Sequence, residues 1–162
     1  MFDICPQRRS DGGVDLTPSR LEALRSILDG LRADCRADRC TLRLDVPGET
    51  FPVVCESLAA GAGTLIGERT VVLAGQPVVQ AMLSGTQQVV QDDCSTASDD
   101  PAFHAMRETY GGLSAQIVTA VRSGGALVGI VSVHVLGGTR EWSAAERELA
   151  IEACAAVARA LR

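Results

Sequence analysis

Two stretches decide the fold: Gly112-Leu113-Ser114-Ala115-Gln116-Ile117-Val118-Thr119-Ala120-Val121-Arg122, and Ala126-Leu127-Val128-Gly129-Ile130-Val131-Ser132-Val133-His134-Val135. Ser123-Gly124-Gly125 joins them. Two runs rich in β-branched residues around a Gly-Gly turn predict an antiparallel hairpin. After Gly137-Gly138 and Arg140-Glu141-Trp142, Ser143-Ala144-Ala145-Glu146 opens an alanine-rich amphipathic helix. Ser143 and Glu146 have capping-box spacing, so each can satisfy an unpaired N–H at the helix start.

Working back from this hairpin, residues 1–16 are polar and glycine-containing, which predicts a flexible tail before a single domain over 17–162. Thr17-Pro18 supplies an N-cap followed by proline at the first helical position. Leu21, Leu24, Leu28 and Leu31, with Ile27 beside them, form a helical stripe to about residue 36. Cys40-Thr41-Leu42-Arg43-Leu44-Asp45-Val46 alternates as a strand, Pro47-Gly48 turns the chain, and a second strand follows over about 51–59. Residues 65–75 read as a short strand and loop. A short helix over 76–83 ends at Ser84-Gly85, and residues 87–91 form a strand. An acidic, hydroxyl-rich loop runs from Asp92 to Pro101, and a helix follows to about Thr109.

At 162 residues and 46% hydrophobic composition, the chain can bury one core, and no apolar run reaches membrane-spanning length. The amino terminus lacks the basic-then-apolar order of a secretory signal, which implies a cytoplasmic protein. A net charge of −5, with the arginines scattered, argues against nucleic acid as the main partner. Six cysteines, at 5, 35, 40, 55, 94 and 154, contain no C-x-x-C pair. With only His104 and His134 available, no spacing suits a metal site. Reduced thiols, several of them small core residues, are the expectation.

In order and chemistry, residues 58–161 resemble a bacterial GAF domain. The family pattern is a short helix ending in glycine, a strand closing on an aspartate, a variable ligand loop and helix, and a final hairpin and helix. The corresponding parts are Gln76 to Gly85, Val89 to Asp92, Cys94 to Tyr110, and Leu113 to Leu161. Arg140-Glu141-Trp142-Ser143 and Val133-His134 match bacterial members. The resemblance implies an α+β, PAS-related architecture: a central antiparallel sheet, the N- and C-terminal helices on one face, and a ligand pocket on the other. It also implies a sensor that binds a small molecule, signals through a conformational or dimer-packing change, and passes the signal to a separate protein. Such terminal helices often form a homodimer bundle. Several departures narrow the ligand. Ala120 stands where many members have proline, and the cyclic-nucleotide signature is absent. Cys94 is followed by serine rather than the aromatic or histidine usual where a bilin is attached. Haem-binding members carry a histidine before the penultimate strand, whereas Tyr110 stands nearest here and His104 lies further upstream.

The resemblance places the pocket between one sheet face and residues 92–110. Gln116 and Ser114 share a face by period two, as do Ser132 and His134 on the neighbouring strand. Phe103 and Tyr110 would lie above them, with Asp92, Asp93, Cys94 and His104 completing the candidate set. Unpaired burial of such polar groups costs about 1–3 kcal/mol each, which a ligand would offset. Otherwise this face simply meets water. Alternatives are a thiol redox sensor or enzyme using Cys94, with Cys55 or Cys40 as resolving thiol, a haem site through His104 or a cysteine, and a purely structural dimerisation module. Four neighbouring acids, Asp92, Asp93, Asp99 and Asp100, oppose thiolate formation at Cys94.

Overall fold

Thr17 caps the first helix: its hydroxyl accepts from Arg20 N at 3.2 Å, and Pro18 takes the first helical position of α1 (Pro18–Cys35). The computed structural model describes residues 14–46 and 48–162, so most of the expected tail lies outside the described residues. Leu24, Leu28, Leu31 and Cys35 form the buried stripe of α1, which stops at Arg36 in a left-handed conformation.

Five strands follow: β1 (Arg39–Leu44), β2 (Val53–Leu58), β3 (Gln88–Gln91), β4 (Leu113–Ser123) and β5 (Ala126–Leu136). They form one antiparallel sheet in the order β2-β1-β5-β4-β3. The hairpin read from the sequence is its centre. Ser123 pairs with Ala126 across a two-residue loop in which Gly124 and Gly125 have φ of 58° and 84°. Positive φ at both positions is what a primed hairpin turn requires. The terminal helix α4 (Ala144–Ala160) begins with the expected box: Ser143 Oγ accepts from Glu146 N, and Glu146 accepts from Ser143 N.

Helices α1 and α4 cover one face of the sheet and run antiparallel. Arg20 donates to the Arg162 carbonyl at one end of the pair, and Arg140 donates to the Arg36 carbonyl at the other. Between helices and sheet lie Leu24, Leu28, Cys40, Leu42, Ile117, Val131, Val133, Trp142 and Val157. On the opposite face, α2 (Pro77–Leu83) and α3 (Pro101–Thr109) pack through Val78, Met82, Phe103 and Met106 onto Val118, Ala120 and Ile130. The sheet thus has two cores, as the α+β GAF-like expectation requires.

The strand expected within 65–75 is absent. Side-chain carboxylates, not a ladder, satisfy this loop. Glu56 accepts from Leu65 N at 2.9 Å and Glu68 from Thr70 N at 2.7 Å, and a 3-10 turn over Leu73–Gly75 ends the segment. β4 also departs from simple alternation. Its register with β5 shifts between Leu113 and Ala115, so Ser114 does not share the face of Gln116.

Gly129 marks the tightest backbone approach. A Cβ there would lie 2.8 Å from the Arg43 carbonyl and 2.9 Å from Leu44 Cδ2. Gly129→Ala must push β5 from β1, with an expected loss of about 1–3 kcal/mol. Thermal melts should show a lower midpoint; an unchanged midpoint would contradict this strand spacing.

Candidate functional site

Strand β1 is buried on both faces. Cys40, Leu42 and Leu44 meet the helices, while Arg39, Thr41 and Arg43 point to the other side. Cross-strand pairing sets Thr41 beside Ser132 and Arg39 beside His134. Gln116 pairs with His134 from β4. The sheet face under α2 and α3 is therefore polar at its centre and apolar around it.

Above it lies a cavity of about 40 Å³. Its polar lining is Arg43, Gln76, Tyr110, Gln116, Ser132 and His134, and its apolar lining is Leu73, Val78, Val79, Met106, Val118 and Ile130. On the scale where one water needs about 10–15 Å³, this is room for roughly three waters or a small organic molecule. A second hollow of about 290 Å³, as open to solvent as the first, adjoins it, and Arg43 and Leu73 line both.

Two guanidinium groups lie beneath this site: Arg39 is 1% exposed and Arg43 7%. Among the described residues neither has a carboxylate within ion-pair distance. Arg39 donates to His134 Nδ1 at 3.1 Å, to the Gly63 carbonyl at 2.9 Å and to the Tyr110 carbonyl at 2.7 Å. Arg43 donates to the Phe51 carbonyl at 3.0 Å and to the Tyr110 hydroxyl at 2.8 Å. Phe51 has φ 46°, a strained conformation for an aromatic residue, and holds its carbonyl against Arg43. Burial lowers both arginine pKa values from their usual range. Guanidinium groups nonetheless stay charged in proteins, so the site is electropositive.

His134 is held neutral. Burial, then Arg39 and Arg43, push its pKa well below 6.5. Its Nδ1 accepts from Arg39, so the ring proton is on Nε2, which makes a donor of that edge. Tyr110 stacks on the ring at 6.0 Å between centroids. Gln76 is 5% exposed; its Nε2 donates to the Ala102 carbonyl at 3.3 Å, leaving Oε1 buried without a partner. The Ala102 carbonyl only accepts, which fixes that amide orientation. Thr41 Oγ1 is likewise buried and unpartnered.

The residues singled out from sequence separate into two groups. Gln116, Ser132, His134 and Tyr110 line the cavity, and Phe103 is buried in the core beside it. Gln116 already donates to Gln91 Oε1 at 2.8 Å, so part of its bonding is internal. The others have local tasks. Ser114 bonds the Gly112 carbonyl and Gly137 N at the sheet's end, because the β4 irregularity takes it off the cavity face. Asp92 accepts from Trp142 N at 3.2 Å and anchors the start of α4, while Asp93 caps Ser95. His104 has both nitrogens engaged: Nδ1 accepts from Arg107, and Nε2 meets the Ser98 carbonyl at 2.7 Å. A bond from His104 to haem iron would break one of these contacts. Asp100 caps α3 through Ala102 N. No cluster of three potential metal ligands occurs among the described residues.

Cys94 is fully buried, with Sγ 3.6 Å from Gln91 Oε1. Burial raises its pKa to about 11, and the Asp93 charge adds to this while Arg107 opposes it. Cys40 and Cys55 belong to the core on the helix side, and Cys94 to the core on the other side. The sheet separates them, which corrects the expectation that either acts as its resolving thiol.

Arg39, Arg43 and Gln76 did not stand out in the sequence. An alternating strand reads as one face in water, and arginines at positions 39 and 43 then look solvated. The available signal was their register: they share the face of Thr41, opposite Ser132 and His134.

Comparison with known proteins places this geometry in a family. The GAF domain pattern matches residues 19–161, and the chain belongs to the GAF domain family. The cyanobacteriochrome TePixJ GAF domain superposes with a TM-score of 0.73 at 18% identity, over 88% of each chain. The photoproduct state of GAF3 from Slr1393 of Synechocystis sp. PCC6803 gives 0.70 at 20% identity, over 87% of this chain and 94% of that one. JSC1_58120g3 with bound biliverdin IXa gives 0.67 at 18% identity, over 88% and 94%. At these identities the likeness is one of fold. No curated protein matches the sequence. Among the described residues no helix is long and apolar enough to cross a membrane.

Two outcomes test the site's electrostatics. Unfolded, His134 titrates near its ordinary 6.5; folded, it titrates well below. Between those values the unfolded chain binds a proton that the folded chain lacks, so stability falls as pH falls through that window. Urea midpoints should decrease from about pH 7.5 to about pH 5.5, by at most about 1.4 kcal/mol per pH unit from this residue. His134→Gln should lose that component, and equal slopes in both proteins would refute it. Separately, iodoacetamide at mildly alkaline pH should leave Cys94 unmodified in the folded protein and label it after denaturation. Rapid native labelling, read by peptide mass spectrometry, would contradict its burial.

Proposed function

We propose that this GAF domain is a non-catalytic sensor that binds a small molecule in the cavity between the polar sheet face and helices α2 and α3. The observation that carries the reading is Gln76 Oε1, an amide oxygen with no protein donor and almost no accessible surface, on a residue that lines the cavity. Leaving such an acceptor unpaired costs about 1–3 kcal/mol, which a ligand donor relieves. Convergent polar groups inside an otherwise apolar cavity are the usual composition of ligand sites.

The chromophores of the structural neighbours are a poor guide to the ligand. A cavity of about 40 Å³ has no room for a tetrapyrrole. The Cys94 thiol is buried and kept protonated, which does not suit covalent attachment. The same two facts weigh against Cys94 as a redox nucleophile.

Signalling follows from the position of β5. Ser132 lines the cavity, while Val131 and Val133 pack under α1 and α4. Occupancy that shifts β5 or α3 changes the bed on which the terminal helices lie. Those helices would carry the change to a second copy or a separate protein. A ligand does this only by binding two conformations unequally.

Native mass spectrometry of protein purified without additives should reveal a bound small molecule, or thermal melts across a metabolite collection should identify one that raises the midpoint. Gln76→Leu should weaken that binding about tenfold while raising the stability of the free protein, because it removes the orphan acceptor. Absence of any ligand in both assays would remove this function.

A further inference from the structure

The polar atoms around the cavity also specify the charge and shape of what it takes. Arg43 has five N–H donors, of which two are used, by the Phe51 carbonyl and the Tyr110 hydroxyl. It faces both the cavity and the open hollow next to it. Among the described residues no aspartate or glutamate lines the cavity. On the outer side Glu68 is the acidic group that acts on Arg43; it is half-buried, outside ion-pair distance, and its carboxylate is held by Thr70. A charge taken out of water without a counter-ion costs several kcal/mol, which an anion at this position offsets.

The remaining groups refine that anion. Gln76 Oε1 accepts and has nothing to accept from. The proton on His134 Nε2 makes a second donor on the same wall as Arg43. The ligand must therefore bring acceptors and one donor of its own. That donor is a hydroxyl rather than an ammonium, because two buried guanidinium groups repel a cation and no lining carboxylate would pair with it. Val78, Val79, Val118 and Ile130 give the rest of the wall an aliphatic character.

We infer that the cavity binds a short aliphatic hydroxycarboxylate, its carboxylate on the Arg43 guanidinium and its hydroxyl donating to Gln76 Oε1 once that amide turns toward the cavity. This rests on the ligand-sensing function proposed above and narrows it to one chemical class. A planar carboxylate matches the guanidinium fork in two parallel hydrogen bonds. Arg39 takes no direct part: its three bonds hold the Gly63 loop, the end of α3 and His134, so it is a positioning residue. The adjoining hollow leaves room for a longer chain if the turn at Leu73 moves.

Calorimetry and thermal melts of the full chain would use lactate, propionate, lactamide, alanine and inorganic phosphate as probes. Lactate should bind best, propionate more weakly for want of the hydroxyl, and lactamide about tenfold or more weakly for want of charge. Arg43→Gln should lose the preference for lactate over lactamide, and Gln76→Leu the preference for lactate over propionate. Arg159→Gln, on the exposed side of α4, should change neither. If Arg43→Gln fails to fold, the Nε–H resonance of Arg43 in the ¹⁵N spectrum of the wild type should shift on adding lactate and not on adding lactamide. Equal binding of lactate and lactamide, tighter binding of alanine or phosphate, or an unmoved Arg43 resonance would overturn the inference. If these acids fail while a neutral metabolite copurifies, the class is wrong and the sensor stands; if no ligand of any kind binds, both fall.

Discussion

Two arginines of β1 lie under a protein surface that gives them hydrogen bonds but, among the described residues, no carboxylate at ion-pair distance, and the architecture of the cavity side depends on this. Arg39 joins the residue-63 loop, the carbonyl at the end of α3 and His134 through one planar group. Arg43 joins the strained Phe51 carbonyl to the Tyr110 hydroxyl. Tyr110 thus receives from both, through its backbone and its side chain, which fixes where α3 ends above the sheet. The cavity is the space left between that fixed end and α2.

The same arrangement sets the chemistry. Burial holds His134 neutral, and the hydrogen-bonded guanidinium charges of Arg39 and Arg43 add to it. A histidine in that state donates from one fixed edge instead of titrating. The orphan oxygen of Gln76 sits across a wall otherwise rich in valine. Donors and one acceptor thus surround a small, partly open cavity with largely apolar walls, where each hydrogen bond is worth more than at the surface.

Communication across the sheet needs no separate device. β5 is the central strand, and its alternate residues belong to the two cores: Ser132 and His134 to the cavity side, Val131 and Val133 to the helix side. At Gly129 it lies so close to the β1 backbone that the two strands must move together. In the proposed sensor a disturbance at the cavity floor would reach α1 and α4 through strand displacement, because packed interiors contain few voids to absorb such shifts.

Local sequence determined what depends on short-range chemistry. The hairpin followed from Gly124-Gly125 between β-branched runs, the start of α4 from Ser143 and Glu146, and the buried stripe of α1 from its leucine spacing. The period-two pattern brought Gln116, Ser132 and His134 to one face. It failed for Ser114, because a strand irregularity leaves no mark in a run of small residues. Only the tertiary structure decided whether a polar strand face meets water or a second layer. The segment from residue 51 to 75 and helix α3 close over β1, and that covering turned Arg39 and Arg43 from ordinary surface residues into buried charges. It also put Cys94 and the Cys40–Cys55 pair on opposite sides of the sheet. Periodicity records which residues share a face; what packs against that face is set by chain segments far away in sequence.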